Sequence, residues 1–587
     1  MEHPLLTTYR FRVQPLLAAI YPPDKIEELL ETIFAKLQPL LRNSADEDVN
    51  KWSQDDVLLI TYGNSLIQEG QVPLQTLGQF LDRFLQTVIT GVHILPFFPY
   101  TSDDGFAVSD YRTVRPALGD WGDIEAIAQN FKLMVDLVIN HVSSEHEWFQ
   151  QFKAGQAPGK AYFIALDPHT DVSQVVRPRS SPLLAPVETN SGTQYVWSTF
   201  SHDQHDVNFA NPEVLLEYLD ILLLYIQKGA RLIRLDAIAY LWKELGTPCI
   251  HLPQTHALVR LLRELIQLID PGMAILTETN VPNRENLSYF GSRNEAHMIY
   301  NFSLPPLLLN ALIQGKSDHL KTWMMSMPPA PVGCAYLNFT ASHDGIGVRP
   351  AEGLLSPAEF QQLITCMQQF GGAISLRRHP DGSESPYELN ISFYDALQGT
   401  VKGKDHWQQD RFLCAQTLMM SLEGIPAFYI HSLLATPNDY EGMARTQHNR
   451  SINRRQWNME DLEPLLADPR SIPAMVLGEL SRRIKIRRRQ GAFHPNATQY
   501  TLHPMNRAIF AFWRQSIPRD QSIFCIFNLS ARSQQLNLSA LNLVVTDPWC
   551  DLISGQCVQD IYDVLHLKPY QCVWLSNQFS DAHVDQP

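Results

Sequence analysis

The sequence lacks the long apolar runs that would cross a membrane. It also lacks the excess of positive charge that favours binding to nucleic acids. A membrane-spanning helix needs about 20 consecutive apolar residues. The longest apolar runs here, such as the one from Ile221 to Ile226, are much shorter. Lys and Arg number 46 against 61 Asp and Glu, a net charge of −15. Phosphate backbones and anionic lipids repel a protein of that sign. The composition therefore predicts no nucleic-acid partner and no membrane partner.

Cysteine is sparse, with eight residues in a chain of 587 and no C-x-x-C pair. This irregular spacing favours reduced, structural cysteines over a disulfide framework, and we expect all eight to be reduced. The N-terminal residues also lack a basic segment followed by an uninterrupted apolar stretch and a small-residue cleavage site. We therefore expect a cytoplasmic protein.

The chain has no internal repeat and no low-complexity segment, yet at 66.8 kDa it exceeds what one hydrophobic core supports. Several domains, or one barrel with appendages, are expected. Proline is abundant, with 39 residues, and aromatic residues make up 10% of the chain. Both suit a protein with many surface loops around an aromatic-lined pocket.

Short apolar runs typical of buried strands begin near Val57. Amphipathic stretches with helical spacing, such as PEVLLEYLDILLLYIQKGA, lie between most of them. Alternating strands and helices of this kind are most simply closed as an α/β fold, a (β/α)₈ barrel, whose chemistry lies at the C-terminal ends of the strands. The eight runs are VLLITYG, GVHILPFFP, KLMVDLVINH, ARLIRLDAIAY, MAILTETN, HMIYNFSLP, CAYLNFTASHD and IPAFYIHSLLA.

The pattern divides the chain into three regions. We predict an N-terminal helical extension over 1–55, the catalytic barrel over 56–493 and an all-β C-terminal domain over 494–587, where short alternating runs replace the helical period. Two gaps in the barrel, 147–208 after the third strand and 349–390 after the seventh, are too long for simple loops. Insertions of this length usually roof a site.

Charged side chains stand at the predicted strand ends. Arg234 and Asp236 point to the same face of a strand, and a guanidinium beside a carboxylate keeps it ionised, which suits Asp236 to be a nucleophile. Glu278 follows the apolar run MAIL, where desolvation raises the pKa of a carboxyl and suits it to donate a proton. With Asp344 as a third carboxylate, the set meets the requirements of a retaining glycosidic displacement.

Each of these residues has a plainer explanation when it is taken alone. A single Asp at a strand end is commonly a helix N-cap or a salt-bridge partner, and His141 is as readily a buried, hydrogen-bonded histidine. The whole set at successive strand ends, which also includes His343, favours a site. No pair of potential ligands has the H-E-x-x-H spacing, so we predict no metal.

Four segments, DLVINHVS, RLIRLDAIAY, LTETN and TASHDGIG, occur in an order that resembles the α-amylase superfamily of glycoside hydrolases. GFAVSDYRTV, NFSLPPLLL, HDGIGVRP and PYELNISFYDAL are similar to the sucrose phosphorylase subfamily. The resemblance implies that Asp236 is the nucleophile, Glu278 the general acid/base and Asp344 the stabiliser of the transition state. It also implies that no cofactor is needed and that Asn140, a calcium ligand in many amylases, holds no calcium here.

The resemblance further implies a blind pocket for one terminal glucose. Asp103 and Arg450 would pair to close it, with Asp104 as a one-residue alternative to Asp103. His141 and His343 would bind hydroxyls beside the scissile bond. The remaining substrate-binding residues implied are Arg234 and Phe106, whose ring would be an apolar platform for the sugar.

An acidic protein that uses phosphate must gather positive charge locally. Arg177 and Arg179, in VVRPRSSPLL, resemble the mobile RPR loop of the family, and Tyr387 in the second insertion would face them. Ordinary solvated loop arginines are the alternative. Where sucrose phosphorylases carry an Asp and a Gln around this tyrosine, SPYELN has Ser385 and Glu388, so we assign Glu388 to the acceptor site.

RPRSSPLL, TETN and PYELN look most like glucosylglycerate phosphorylases. We therefore predict small-molecule substrates, an α-glucoside and inorganic phosphate, with α-D-glucose 1-phosphate and D-glycerate as products, and a monomer or homodimer. Sucrose, sucrose 6-phosphate or glucosylglycerol phosphorylases are the neighbouring alternatives. A hydrolase or transglycosidase of the same fold, or an inactive carbohydrate-sensing barrel, are the alternatives of other classes.

Overall fold

The structure is a computed structural model that describes residues 4–41, 51–179, 181–378, 383–541 and 543–578. Its centre is a closed barrel of eight parallel strands whose order around the barrel follows the chain. All eight apolar runs of the sequence supply one strand each, which confirms the predicted (β/α)₈ barrel. The strands are β1 Leu58–Thr61, β2 Gly91–Ile94, β3 Lys132–Val138, β4 Ala230–Asp236, β5 Ala274–Thr277, β6 Met298–Tyr300, β7 Ala335–Asn338 and β8 Ile425–Tyr429.

Some of the helices around the barrel begin at a side-chain cap. Asn211 accepts a hydrogen bond from the backbone N–H of Glu213 at 3.0 Å, and Pro212 occupies the first helical position. The helices of the barrel region and its insertions are Pro73–Phe80, Trp121–Asn130, Glu147–Ala154, Pro212–Gln227, Pro253–Ile269, Asn283–Leu287, Leu304–Gln314, Asp318–Ser326, Pro357–Gln369, Gln408–Ser421, Ile430–Leu433, Tyr440–Thr446, Met459–Ala467 and Ile472–Arg488.

Two helices precede the barrel, Pro4–Ala18 and Pro23–Leu37. They dock on its outer helices through ion pairs, Lys36 with Asp220 at 2.7 Å and Arg12 with Glu264. Their buried apolar residues join the hydrophobic core of the barrel. The N-terminal region is therefore a cover on the outside of the barrel, remote from the strand ends.

Each long gap folds into a small sheet with a helix. The first insertion pairs His141–Ser143 with Gln204–Asp206 and builds a three-stranded sheet from Ala165–Leu166, Gly192–Trp197 and Leu184–Thr189. The second builds a sheet from Ile346–Gly347, Glu384–Asn390 and Ala373–Arg378. Both insertions start at the C-terminal end of a barrel strand, so they extend over the same rim.

The C-terminal region is all-β, as predicted. Its five-stranded sheet has the order Thr498–Thr501, Ile509–Gln515, Ser522–Asn528, Cys572–Ser576 and Cys550–Asp551, and a second sheet pairs Gln534–Asn537 with Val564–Leu567. Trp574 is fully buried and donates a hydrogen bond from Nε1 to Oγ of Ser421 on a barrel helix at 2.8 Å. The domain is thus anchored to the barrel by buried contacts.

The expectation that all cysteines are reduced is wrong for one pair. Cys550 and Cys557 form a disulfide, because the chain between them reverses direction and brings their Cα atoms within 3.9 Å of each other. The other six cysteines are free and buried. In the described part of the chain, every helix is too short or too polar to cross a membrane.

Candidate active site

A pocket of about 510 Å³ opens at the C-terminal ends of the barrel strands, between the two insertions. All the site residues predicted from the sequence line it, except Arg177. Its full lining is Asp103, Phe106, His141, Arg179, Phe200, Gln204, Arg234, Asp236, Ala237, Glu278, Asn280, His343, Asp344, Tyr387, Glu388 and Arg450.

A buried chain of charges lies at the bottom of the pocket. Arg234 on β4 donates from Nη1 to Oδ1 of Asp236 at 2.8 Å and also pairs with Asp136 on β3. His93 on β2 lies 2.6 Å from the second oxygen of Asp136. Burial opposes ionisation of Asp136, but Arg234 and His93 lower its pKa to about 2. Asp136 therefore holds Arg234 in place while Arg234 holds Asp236.

The predicted contact between Arg234 and Asp236 is present, but Arg234 does not decide the pKa of Asp236. Burial raises that pKa, and the opposing effects of Arg234 and His141 are smaller. The reason is the depth of the carboxylate, whose side chain is only 11% exposed. Desolvation at this depth penalises the charged form.

Glu278 follows β5 and has the higher pKa that a proton donor needs. The pKa of Glu278 is raised to about 7, chiefly by burial; Arg234 lowers it, and the negative charges of Asp236 and Asp344 raise it. Its Oε2 accepts a hydrogen bond from the backbone N–H of Ala237 at 3.2 Å. Near neutral pH, Glu278 can therefore give and take a proton.

Asp344, after β7, is held ionised. Burial alone would favour its neutral form, but Arg450 Nη1 lies 2.7 Å from its Oδ1 and Arg454 Nη2 lies 3.9 Å away. These two charges hold the pKa of Asp344 well below its ordinary value. The pocket thus contains carboxyls of opposite behaviour, Asp344 anionic and Glu278 titrating near pH 7.

The predicted ion pair between Asp103 and Arg450 is not formed among the described residues, so this prediction is wrong. Arg450 instead binds Asp344 and makes a bidentate contact with Glu388, with Nε 3.1 Å from Oε2. The strand Glu384–Asn390 brings the Glu388 carboxylate, only 2% exposed, directly beside the guanidinium. Asp103 lines the pocket and accepts a hydrogen bond from Gln204 at 3.2 Å.

This geometry also changes the interpretation of Asp104 and Glu388. Asp104 pairs with Arg454 and points away from the pocket, so Asp103 is the residue of the two that lines it. Glu388 borders the pocket, but its carboxylate is taken up by Arg450. Glu388 therefore positions Arg450, whereas the sequence analysis assigned Glu388 to the acceptor site.

The aromatic and imidazole groups form one wall. The rings of Phe106 and His343 are stacked, with centroids 5.0 Å apart, and His141 Nε2 lies 2.9 Å from the carbonyl oxygen of Phe106. Burial lowers the pKa of His343 to about 3, so its ring is neutral and can hydrogen-bond to a hydroxyl in either sense. His343 stacks on Phe106 and the guanidinium of Arg234 lies 5.7 Å from its ring centroid, while the ring also borders the pocket.

At the mouth of the pocket, the guanidinium of Arg179 lies over the ring of Tyr387, 5.7 Å from its centroid. Arg177 does not line the pocket, and its Nε and Nη2 are buried with no hydrogen-bond partner among the described residues. The structure therefore brings one of the two loop arginines to the pocket and keeps the other beside it.

Four lining residues were missed from the sequence: Phe200, Gln204, Ala237 and Asn280. Asn280 had a local signal, because it ends the TETN segment that contains Glu278. Phe200 and Gln204 lie in the first insertion, whose path over the barrel no local pattern reveals.

Asn140 is held by an ammonium group. Lys243 Nζ lies 2.8 Å from the side-chain oxygen of Asn140 and 2.8 Å from Oδ2 of Asp206 in the first insertion. Buried at this point, the ammonium satisfies both oxygens and ties the insertion to the barrel.

Comparison with known proteins identifies the family that has this fold and site. The model of the alpha amylase catalytic domain matches residues 73–344, and that of the maltogenic amylase C-terminal domain matches 500–574. A glucosylglycerate phosphorylase of Spirochaeta thermophila is 43% identical over 581 residues, covering 96% of this chain and 98% of that protein. The chain belongs to the α-amylase superfamily, in the group of the glucosylglycerate phosphorylases.

Other members of the superfamily extend the comparison. The glucosylglycerate phosphorylase of Escherichia coli K12 is 39% identical, with 93% of this chain and 96% of that protein covered. The crystal structure of sucrose 6F-phosphate phosphorylase from Thermoanaerobacter thermosaccharolyticum superposes with a TM-score of 0.70 at 25% identity, over 82% of this chain and 96% of that one. The predicted family, its sucrose phosphorylase relatives and the barrel with a β-domain are thereby confirmed.

Proposed function

We propose that the protein is a retaining α-glucoside phosphorylase that converts 2-O-α-D-glucosylglycerate and phosphate into α-D-glucose 1-phosphate and D-glycerate. The observation that carries the proposal is identity of 39 to 43% to three proteins named glucosylglycerate phosphorylase, over 89 to 96% of the chain. The pocket supports it with three carboxyls whose environments differ as a double displacement requires.

In the first step, an oxygen of Asp236 attacks the anomeric carbon of the glucosyl group while the bond from that carbon to the glycerate oxygen breaks. Glu278, protonated near neutral pH, gives its proton to the departing oxygen. The products of the step are a β-glucosyl ester on Asp236, free D-glycerate and an ionised Glu278. Arg234, 2.8 Å from Asp236, keeps the nucleophile oriented.

In the second step, a phosphate oxygen attacks the same carbon from the face that glycerate left. The bond to Asp236 breaks, and Glu278 takes up a proton from a protonated phosphate oxygen, so that both groups return to their initial states. Two inversions give net retention. Asp344, held anionic by Arg450, stabilises the positive charge that develops on the sugar in both transition states.

The glucose ring would occupy the inner pocket. His141 and the neutral His343 would bind its hydroxyls beside the scissile bond, and Phe106 would contact its apolar face. Asp103 and Arg450 would close the inner end without pairing with each other. A pocket closed in this way accepts a terminal glucose and no longer chain.

The anions would be bound at the mouth. Arg179 and Tyr387 line it, and Arg177 lies beside it with unpaired donors. Among the described residues, Arg177 and Arg179 form no ion pair with a carboxylate, in contrast to the arginines of the inner pocket. Free guanidinium groups at this point suit phosphate in one half-reaction and the glycerate carboxylate in the other.

The test is an incubation of purified protein with glucosylglycerate, glucosylglycerol, sucrose and sucrose 6-phosphate, each with and without phosphate. We expect phosphate-dependent glucose 1-phosphate from glucosylglycerate. Phosphate-dependent product from another glucoside alone would overturn the acceptor assignment, and free glucose formed at the same rate without phosphate would indicate a hydrolase.

The domain boundaries at 55/56 and 493/494, the cytoplasmic location and the monomer or homodimer stay predictions.

A further inference from the structure

The arginines around the pocket fall into two kinds. The inner ones, Arg234, Arg450 and Arg454, are each ion-paired with a carboxylate. Arg349 lies near the mouth and differs from them, since no carboxylate of the described residues pairs with it and its Nε is buried without a hydrogen-bond partner. A buried, unpaired guanidinium nitrogen is costly, and an anionic ligand would satisfy it.

The backbone fixes Arg349 next to the acceptor side of the pocket. It follows the strand Ile346–Gly347, whose partner strand carries Tyr387 and Glu388. The N–H of Val348 donates to the carbonyl oxygen of Tyr387 at 3.1 Å. Arg349 therefore directly follows the ladder that carries two residues of the pocket lining.

Tyr387 links the two arginines: its carbonyl oxygen accepts from the residue before Arg349, and the guanidinium of Arg179 lies 5.7 Å from the centroid of its ring. Burial raises the pKa of the Tyr240 hydroxyl, and the positive charges of Arg349 and Arg179 both act on it in the opposite direction. The ring of Tyr240 packs edge-on against Phe200, a lining residue, with centroids 5.5 Å apart. The charges of both insertions thus act on a phenol that lies directly behind the lining residue Phe200.

We propose that Arg349 and Arg179 form a two-arginine anion clamp at the pocket mouth, and that Arg349 determines the preference for anionic over neutral acceptors. The ligands are a phosphate in one half-reaction and a carboxylate in the other. This inference rests on the proposed function, because it assumes that a glucosyl-enzyme is formed and then transferred to an acceptor.

The experiment uses α-D-glucosyl fluoride as the donor, because its leaving group brings no phosphate or carboxylate to the mouth. Wild type and R349Q are given phosphate, D-glycerate or glycerol, and each product is measured as a ratio to the glucose released by water. We expect R349Q to lower the ratios for phosphate and D-glycerate by about 10- to 100-fold, the loss of a charge-assisted hydrogen bond. The ratio for neutral glycerol should change far less.

Two further variants make the result decisive. R349K keeps the positive charge but loses the planar, bidentate donor geometry of the guanidinium. Its ratios should therefore fall between those of wild type and R349Q. R112Q removes an arginine that is paired with Glu217 at 2.8 Å outside the pocket and should behave as wild type. If R349Q and R349K both partition as wild type does, the clamp is refuted. If wild type transfers glucose to neither anion, the proposed function itself is refuted.

Discussion

At the scale of single residues, the assignment of Asp236 as nucleophile makes the sharpest prediction. Asp236→Asn keeps the shape of the side chain and its contact with Arg234, but an amide cannot form the glucosyl ester. We expect the turnover to fall by at least about 10⁴-fold, as for other nucleophile replacements. The thermal midpoint should stay close to that of wild type. Near-normal turnover of the variant would refute the assignment.

The pH dependence belongs to Glu278. Its protonated form must be present for the glycerate oxygen to leave, and its pKa of about 7 implies that this form is lost as the pH rises. The kcat/KM for the glucoside should therefore fall tenfold for each pH unit well above 7. The measurement is a pH profile of wild type. A profile that stays flat to pH 9 would show that another group supplies the proton.

Residue types and short segments were enough to find the acids, because Asp236, Glu278 and Asp344 each end a recognisable apolar run. Their energetics depended on the third dimension. The partner of Arg450 is Glu388 rather than Asp103, and burial outweighs Arg234 at Asp236. Distances between separate insertions and the depth of a carboxylate decide these points, and neither is encoded in local spacing.

At the scale of elements, the strand Glu384–Asn390 links the second insertion to the glucose pocket through Glu388. Replacing Glu388 by Gln removes the charge that faces Arg450 and leaves Arg450 to Asp344 alone. We expect kcat/KM to fall by about 10- to 100-fold, and by a similar factor whether the acceptor is D-glycerate, glycerol or water. An acceptor profile measured in the direction from glucose 1-phosphate distinguishes the roles.

A selective change in that profile would mean that Glu388 contacts the acceptor after all. Glu384→Gln is the matched control, because Glu384 is exposed at the start of the same strand. It should leave both the rate and the profile as in wild type.

The barrel strands were predictable because parallel strands covered on both faces are written as continuous apolar runs. The two insertions were predictable only as gaps. Their small sheets are half-exposed and irregular, and their contacts join residues far apart in the chain, such as Lys243 with Asp206. The disulfide between Cys550 and Cys557 was missed for a different reason: the two residues are close in the chain, but no local pattern reveals the turn that brings them together.

At the scale of the whole molecule, part of the β-domain belongs to the hydrophobic core of the barrel, while other residues of the domain form a second core of their own. Trp574 of the last strand is fully buried, packs on Phe493 with ring centroids 4.9 Å apart and donates to Ser421 of a barrel helix. A core that crosses a domain border makes separate unfolding of either part costly. We therefore expect a single cooperative unfolding transition for the wild-type protein.

Trp574→Ala tests that expectation. The substitution removes a large buried side chain and leaves Ser421 without its donor, so the free energy of unfolding should fall by about 3–5 kcal/mol. Tyr500→Ala is the control, because Tyr500 is 46% exposed on a strand of the same domain and exposed replacements usually change stability by less than about 0.5 kcal/mol. Calorimetry and urea titration measure both. Two separate transitions in wild type, or equal stability of the two variants, would show that the β-domain is an independent unit rather than part of the scaffold that holds the pocket.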